Sequence, residues 1–219
     1  MNPAPLSQTA QDYLKEIYKL ESEQGRATTS ALAERVGVSP PSATAMLKKL
    51  AALRLVRHEP YRGVQLTRAG ELAAVEIIRH HRLLEQYLSE TLGLPIDEVH
   101  GEADRLEHAL SEELEARIDA SLGYPTHDPH GDPIPDAELK LAPADLRVLA
   151  DLPPGERSTV RRVPDGDVEL LRYLSDLGLL PGETVEVVRV EPFEGPLTVL
   201  AGGVEHPISH ELATHIGVA

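Results

Sequence analysis

Between Thr28 and Leu53 the sequence has room for only two short helices and a tight turn between them, and this restricts how the N-terminal part can fold. Thr28-Thr29-Ser30 supplies hydroxyl caps for the short run Ala31–Val36, and Gly37-Val38-Ser39 breaks it. Pro40 or Pro41 then sits in the first turn of a further helix, through Met46, Leu47 and Leu50 to Leu53. Upstream, Tyr13, Leu14, Ile17 and Leu20 recur at helical spacing from Ser7 to about Glu23, and Gly25 stops that helix. Downstream, Val56–Glu59 and Val64–Thr67 flank Pro60-Tyr61-Arg62-Gly63 as a hairpin. Helix, short helix, glycine turn, helix and hairpin in this order predict a winged helix-turn-helix over residues 1–70.

Charge agrees with that reading only when the chain is divided. The net charge of −15 argues against nucleic acid, but residues 1–70 hold ten Lys and Arg against six Asp and Glu, and the remainder eleven against thirty. A mildly basic head on an acidic body marks a nucleic-acid-facing end. Ser39, Ser42 and Thr44 would open the second helix of the motif with hydroxyls toward a groove, and Lys48, Lys49, Arg54, Arg57 and Arg62 would meet phosphates.

Beyond the head, a long helix is predicted from Arg68 to Thr91 and another from Gly101 to Leu122, with an apolar seam of Ala103, Leu106, Leu110 and Leu114. Two such helices suit a dimer interface, which also fits paired half-sites about 34 Å apart on duplex DNA. Residues 123–143 are rich in proline and glycine and read as a turn-rich linker. Strand-like runs follow at 184–190, 196–201 and 204–208, with one helix over Asp167–Leu177 ended by Gly178, as in a small β-barrel. The expected organisation is mostly α with small β: a DNA-binding domain over 1–70, a helical metal-binding and dimerisation domain over 71–141 and a β-barrel domain over 142–219. No apolar run approaches bilayer length and the N-terminus lacks a leader pattern, so a cytoplasmic chain with no membrane partner is expected.

The chain has no cysteine, which removes thiolate chemistry and leaves any metal to imidazole, carboxylate, thioether or backbone oxygen. His100, Asp104, Glu107 and His108 advance by helical steps and are expected on one helix face. His81 and Glu85 are four apart on the other long helix, although His80 with Glu76 has the same spacing and the pattern does not choose between them. Asp12 projects from the first helix. An oxygen-and-nitrogen set of this kind suits Mn(II) or Fe(II). His127 and His130, in the proline-rich turn, read rather as caps of backbone groups.

Tyr13-Leu14-Lys15-Glu16-Ile17-Tyr18, His81-Arg82-Leu83-Leu84-Glu85, Glu102-Ala103-Asp104-Arg105-Leu106-Glu107-His108 and Pro129-His130-Gly131-Asp132-Pro133-Ile134-Pro135 together resemble the diphtheria toxin repressor family of iron- and manganese-dependent regulators. The C-terminal part, clearest at Leu177-Gly178-Leu179-Leu180-Pro181-Gly182, is similar to the SH3-like, FeoA-type domain of the longer members. The resemblance implies a regulatory site at Asp12, Asp104, Glu107 and His108, and an ancillary site at His81, Glu85 and His100, two per subunit. It also implies DNA contacts from Ser39, Pro41, Ser42 and Thr44. Iron-type members carry Met and Cys at the first two regulatory positions. Here both are aspartate, which tilts the site toward Mn(II). Lys15 stands where the manganese regulator has a glutamate ligand, which implies two separated sites. Asp165 or Asp167 is a candidate for a ligand from the SH3-like domain.

The function that follows is a homodimeric repressor of metal-uptake genes that binds a palindrome-like operator when Mn(II) or Fe(II) is present, with no small organic substrate. Two rivals are a winged-helix regulator answering an organic ligand and a metal-dependent hydrolase. The hydrolase would need an open coordination position and a general base, and no HExxH or similar signature is present.

Overall fold

The computed structural model describes residues 6–59, 63–142 and 146–219. They form two compact units, one of the residues up to His80 with Glu107–Leu110 and Pro135–Lys140, the other of His81–Leu106, Ser111–Ile134 and Leu141–Ala219.

In the first unit, α1 (Gln8–Gln24) starts at Ser7, whose hydroxyl accepts from the Ala10 amide, and ends at Gly25 in the left-handed region. α2 (Thr29–Arg35) is capped by Thr28 and α3 (Pro40–Ala52) by Ser39. β1 (Val56–Glu59) and β2 (Gly63–Leu66) pair antiparallel, Val56 opposite Leu66. Tyr13, Leu14, Ile17 and Leu20 of α1 pack with Leu32, Leu47, Leu50, Val56 and Val64 in one core. A winged helix-turn-helix is therefore the form in which this sequence buries its apolar positions. Of the expected phosphate contacts, Arg62 lies outside the described residues.

α4 runs from Arg68 to Leu92. The expected second long helix is a different object. α5 spans Ile96–Leu106, a single 3₁₀ turn covers Glu107–Ala109, and α6 runs from Glu112 to Ser121 behind Ser111, whose hydroxyl accepts from the Leu114 amide. A 3₁₀ turn advances about 120° per residue against about 100° in an α-helix, so the chain rotates off the face set by α5. Two expectations fall with that break. His100, Asp104, Glu107 and His108 do not share one helical face. Nor do Ala103, Leu106, Leu110 and Leu114 lie along one helix, because α5 ends at Leu106 and α6 begins at Glu112.

The C-terminal part of the second unit is a six-stranded, SH3-like antiparallel sheet of β3 (Arg147–Val148), β4 (Arg157–Arg162), β5 (Thr184–Val190), β6 (Leu197–Ala201), β7 (Val204–Ile208) and β8 (Gly217–Val218), in spatial order β3-β8-β4-β5-β6-β7. α7 (Val168–Leu177), ended by Gly178, and α8 (His210–His215) complete its core, which gathers Val160, Leu171, Leu174, Val185, Val187, Leu197, Val199 and Ile216. Asp167 is the N-cap of α7, accepting from the Glu169 and Leu170 amides. The proline-rich stretch is ordered into turns: Asp128 accepts from the amides of His130 and Asp132, and Val163 donates its amide to the His130 carbonyl. At Gly131, with φ of 89°, a Cβ would lie 1.7 Å from the Arg161 carbonyl oxygen, so only glycine lets this turn approach β4 so closely.

Candidate metal centres

Three groups of imidazoles and carboxylates converge among the described residues, each with its ligand atoms within 4.8 Å of one another. The first joins α1 to the 3₁₀ turn. Asp12 Oδ1 lies 2.9 Å from His108 Nε2, and Glu107 Oε1 3.6 Å from that same nitrogen. His108 Nδ1 is 2.6 Å from Gln11 Oε1. Glu107 is almost fully buried, while Asp12 keeps a partly open face. Burial pushes the Asp12 carboxyl above its usual range, a shift that His108 and Lys15 oppose and the Glu107 charge reinforces. Lys15, itself buried, donates to both oxygens of Glu107, at 2.7 and 3.0 Å.

The second group lies between α4 and α5. His81 Nε2, His100 Nδ1 and Glu85 Oε1 form a triangle with sides of 2.9, 3.0 and 3.1 Å. Neighbouring ligands of an octahedral ion with bonds of about 2.1 Å stand about 3 Å apart, so this triangle fits one face of such a coordination shell. Asp104 meets the other ring nitrogens of the same two imidazoles, with Oδ1 3.3 Å from His81 Nδ1 and Oδ2 3.7 Å from His100 Nε2, and so lies beside the triangle rather than in it. Helical spacing and the family resemblance set it instead with Glu107 and His108. The end of α5 at Leu106 explains the change, because Asp104 keeps the α-helical face of His100 while the next two ligands turn away. The choice between adjacent histidines is also made: His81 faces the ligands, and His80 places Nδ1 3.3 Å from the Glu107 carbonyl oxygen.

The third group was not foreseen. Asp128 and His130 meet Glu85 in a wholly buried cluster, where Glu85 Oε2, Asp128 Oδ2 and His130 Nδ1 are buried polar atoms without a hydrogen-bond partner. His130 Nδ1 stands 3.8 Å from Glu85 Oε2, within ion-pair range but too far for a hydrogen bond. His130 Nε2 meets the Ile96 carbonyl at 3.0 Å, so the expected backbone partner is present but serves one nitrogen only. His127 stays at the surface, on Thr126. Burial acts to raise Glu85, but the imidazoles of His100, His130 and His81 outweigh it and hold the carboxyl well below its usual range. Burial, with the charges of Glu85 and Asp132, pushes Asp128 up to about 8. His130 is raised to about 9, because Glu85 outweighs the burial that would lower it. The alternation Asp128-x-His130-x-Asp132 was the available sequence signal, but partners more than forty positions upstream were needed to give it meaning.

On the head, Ser39, Pro41, Ser42, Lys48, Lys49 and Arg57 are exposed, and Thr44 is half-buried with its hydroxyl donating to the Pro40 carbonyl. Ser39 Oγ lies 2.9 Å from Ser42 Oγ at the start of α3. Hydroxyls at a helix start followed by exposed lysines are residue types able to face a DNA groove and its phosphates.

Comparison with known proteins decides the family. Over 225 aligned residues the chain is 35% identical to the iron-dependent repressor IdeR of Mycobacterium tuberculosis, covering 97% of each. The chain belongs to the iron-dependent repressor family. Residues 5–64 match its N-terminal DNA binding domain, residues 67–136 its metal binding and dimerisation domain, and residues 147–219 the FeoA domain. The diphtheria toxin repressor of Corynebacterium glutamicum is 32% identical over 97% of this chain and 96% of its own. Among solved structures, a manganese-dependent transcriptional repressor in complex with manganese superposes with a TM-score of 0.87 at 41% identity, covering 96% of this chain and 99% of that one. As a member of this family the chain is a metal-dependent, DNA-binding transcriptional repressor and not an enzyme, with a divalent cation as cofactor and with DNA and a second copy of itself as partners.

Proposed function

We propose that this repressor responds to Mn(II) or Fe(II) through Asp12, Glu107 and His108, and that it silences metal-uptake genes in the cytoplasm as a homodimer on a palindrome-like operator. The observation that carries the reading is that one cluster draws ligands from α1, inside the match to the DNA binding domain, and from the 3₁₀ turn, inside the match to the metal binding domain. Asp12 and Glu107 hold two like charges near one imidazole, which favours the arrangement only when cationic charge is close. When bound there, a divalent cation supplies that charge. Ligand fastening of α1 then favours the head arrangement that fits DNA by its differential affinity for the two states.

His81, Glu85 and His100 make a second metal site in this reading, with Asp104 bracing the other ring nitrogens of both imidazoles, and Glu85, Asp128 and His130 offer a third place for a cation. The Asp12 carboxylate in place of sulfur tilts the regulatory site toward Mn(II), in keeping with the manganese-bound structure that resembles the chain. The domain limits proposed are 1–70, 71–141 and 142–219, each close to a family match. Ser39, Pro41, Ser42 and Thr44 would touch bases, and Lys48, Lys49, Arg57 and Arg62 phosphates.

The test is retention of duplex operator DNA titrated with Mn(II), Fe(II) and Zn(II) in anaerobic, chelator-controlled buffer. Retention should rise with Mn(II) or Fe(II) and be lost in Asp12→Ala and Glu107→Gln, and Lys48→Ala should lower the salt slope by about one. Retention that ignores metal, or that persists in both ligand variants, would overturn the proposal.

A further inference from the structure

The strongest unexplained group at the regulatory site is a cation that the chain itself provides. Lys15 sits on α1 one turn after Asp12, with its side chain 8% exposed, against a Glu107 carboxylate that is 1% exposed. Lysine is rarely buried to this degree unless it is paired, and here its ammonium is shared between both oxygens of one carboxylate. A divalent ion bound to the same carboxylate would meet this ammonium, and Asp12 and His108 offer ligand atoms within 4.8 Å of a Glu107 oxygen.

We infer that Lys15 is an internal counter-cation of the regulatory site, which fastens α1 to Glu107 without metal and competes with the metal for that carboxylate. The inference rests on the assignment of Asp12, Glu107 and His108 to a cation. Three consequences follow from charge alone. The cluster offers an incoming ion one net negative charge fewer than its carboxylates would. The ion must share Glu107 with the ammonium or move it aside, so affinity is lower and the threshold for response higher. And α1 already has one tie to the 3₁₀ turn, so metal completes a connection that is partly made. Arginine at this position would keep the charge, whereas methionine keeps the unbranched stem and removes it.

Mn(II) binding to the full-length dimer, followed by calorimetry and electron paramagnetic resonance, tests this with Lys15→Met, Lys15→Arg and Glu107→Gln. The class of Mn(II) sites lost in Glu107→Gln identifies the cluster. In Lys15→Met that class should bind at least tenfold tighter, and in Lys15→Arg within about threefold of wild type. Metal-free Lys15→Met should melt below wild type, because the buried Glu107 carboxylate loses the ammonium that offsets its charge, and saturating Mn(II) should recover the difference. If Glu107→Gln loses the sites but Lys15→Met binds Mn(II) no more tightly than wild type, the pair is only structural and the inference is overturned while the site stands. If Glu107→Gln keeps every Mn(II) site, the site assignment falls and the inference with it. Should Lys15→Met be unfolded without metal, Lys15→Gln is measured in the same way. Failure of Mn(II) to refold both variants also overturns the inference, since the ion should be able to take the ammonium's place.

Discussion

The cluster on α1 and the cluster around Glu85 use the same residue types under opposite physical conditions. Asp12, Glu107 and His108 leave a partly open face, and their crowded negative charge already has a partner in Lys15. Glu85 is enclosed by His81, His100 and His130, and two of its buried neighbours have polar atoms without hydrogen-bond partners. In the first arrangement the half-open Asp12 can be lost at little cost to the fold, whereas buried Glu107 and Lys15 depend on each other. In the second, ligand chemistry and folding stability are the same quantity, because any group removed leaves another charge buried and unmatched. Two clusters of the same residue types in one chain therefore need not share one task.

That contrast can be broken in several ways. The largest effect is expected from Gly131→Ala, which drives a Cβ into the Arg161 carbonyl and displaces the Asp128–His130 turn. A loss on the order of 4 kcal/mol, or failure to fold, should appear in chemical denaturation, because the close approach is backbone to backbone and neither side can yield. Glu85→Ala comes next. It strips the carboxylate from three imidazoles and should destabilise the chelator-treated protein by about 3–5 kcal/mol, whereas Asp12→Ala should change stability by about 1 kcal/mol or less. Equal losses in the two variants would erase the distinction drawn above.

A pH series sharpens it further. Asp128, raised to about 8, contributes stability that is complete below the ordinary carboxylate range and is lost as the pH rises through 8. His130, raised to about 9, contributes in full below about 6.5 and loses its share as the pH passes 9. Glu85 has the opposite sign, and its contribution is lost only on acidification below its usual range. Without metal, stability should thus fall by roughly 1–3 kcal/mol between pH 6.5 and 9.5, and Asp128→Asn should flatten much of that slope. An unchanged slope would remove Asp128 from the cluster's charge balance.

The smallest structural effect belongs to Asp104→Ala. Its carboxylate is about half exposed, so the fold should be unaffected, while metal affinity of the His81–Glu85–His100 group falls about tenfold. Binding by the Asp12–Glu107–His108 group should be nearly unchanged. Loss of that second class instead would return Asp104 to the grouping expected from helical spacing.

The head was legible because its signals are local. Hydroxyl caps at Ser7, Thr28 and Ser39, proline in the first turn of α3, glycine at residue 25 and an apolar repeat in α1 each fix their own few residues, and they agree with one another. Most of the imidazoles and carboxylates that converge were also conspicuous in a chain without sulfhydryl ligands. Their grouping was not. One 3₁₀ turn at Glu107, with Ser111 restarting the helix, sends Asp104 to His81 and the next two ligands to α1, and helical periodicity carries no record of such a turn. Asp128 and His130 reach Glu85 only because Gly131 lets their turn lie against β4, and Lys15 finds Glu107 across 92 positions of chain. Local propensity sets which residues form an element. Which charges face each other in the interior is decided by packing, because only burial makes an unmatched charge costly enough to choose its partner.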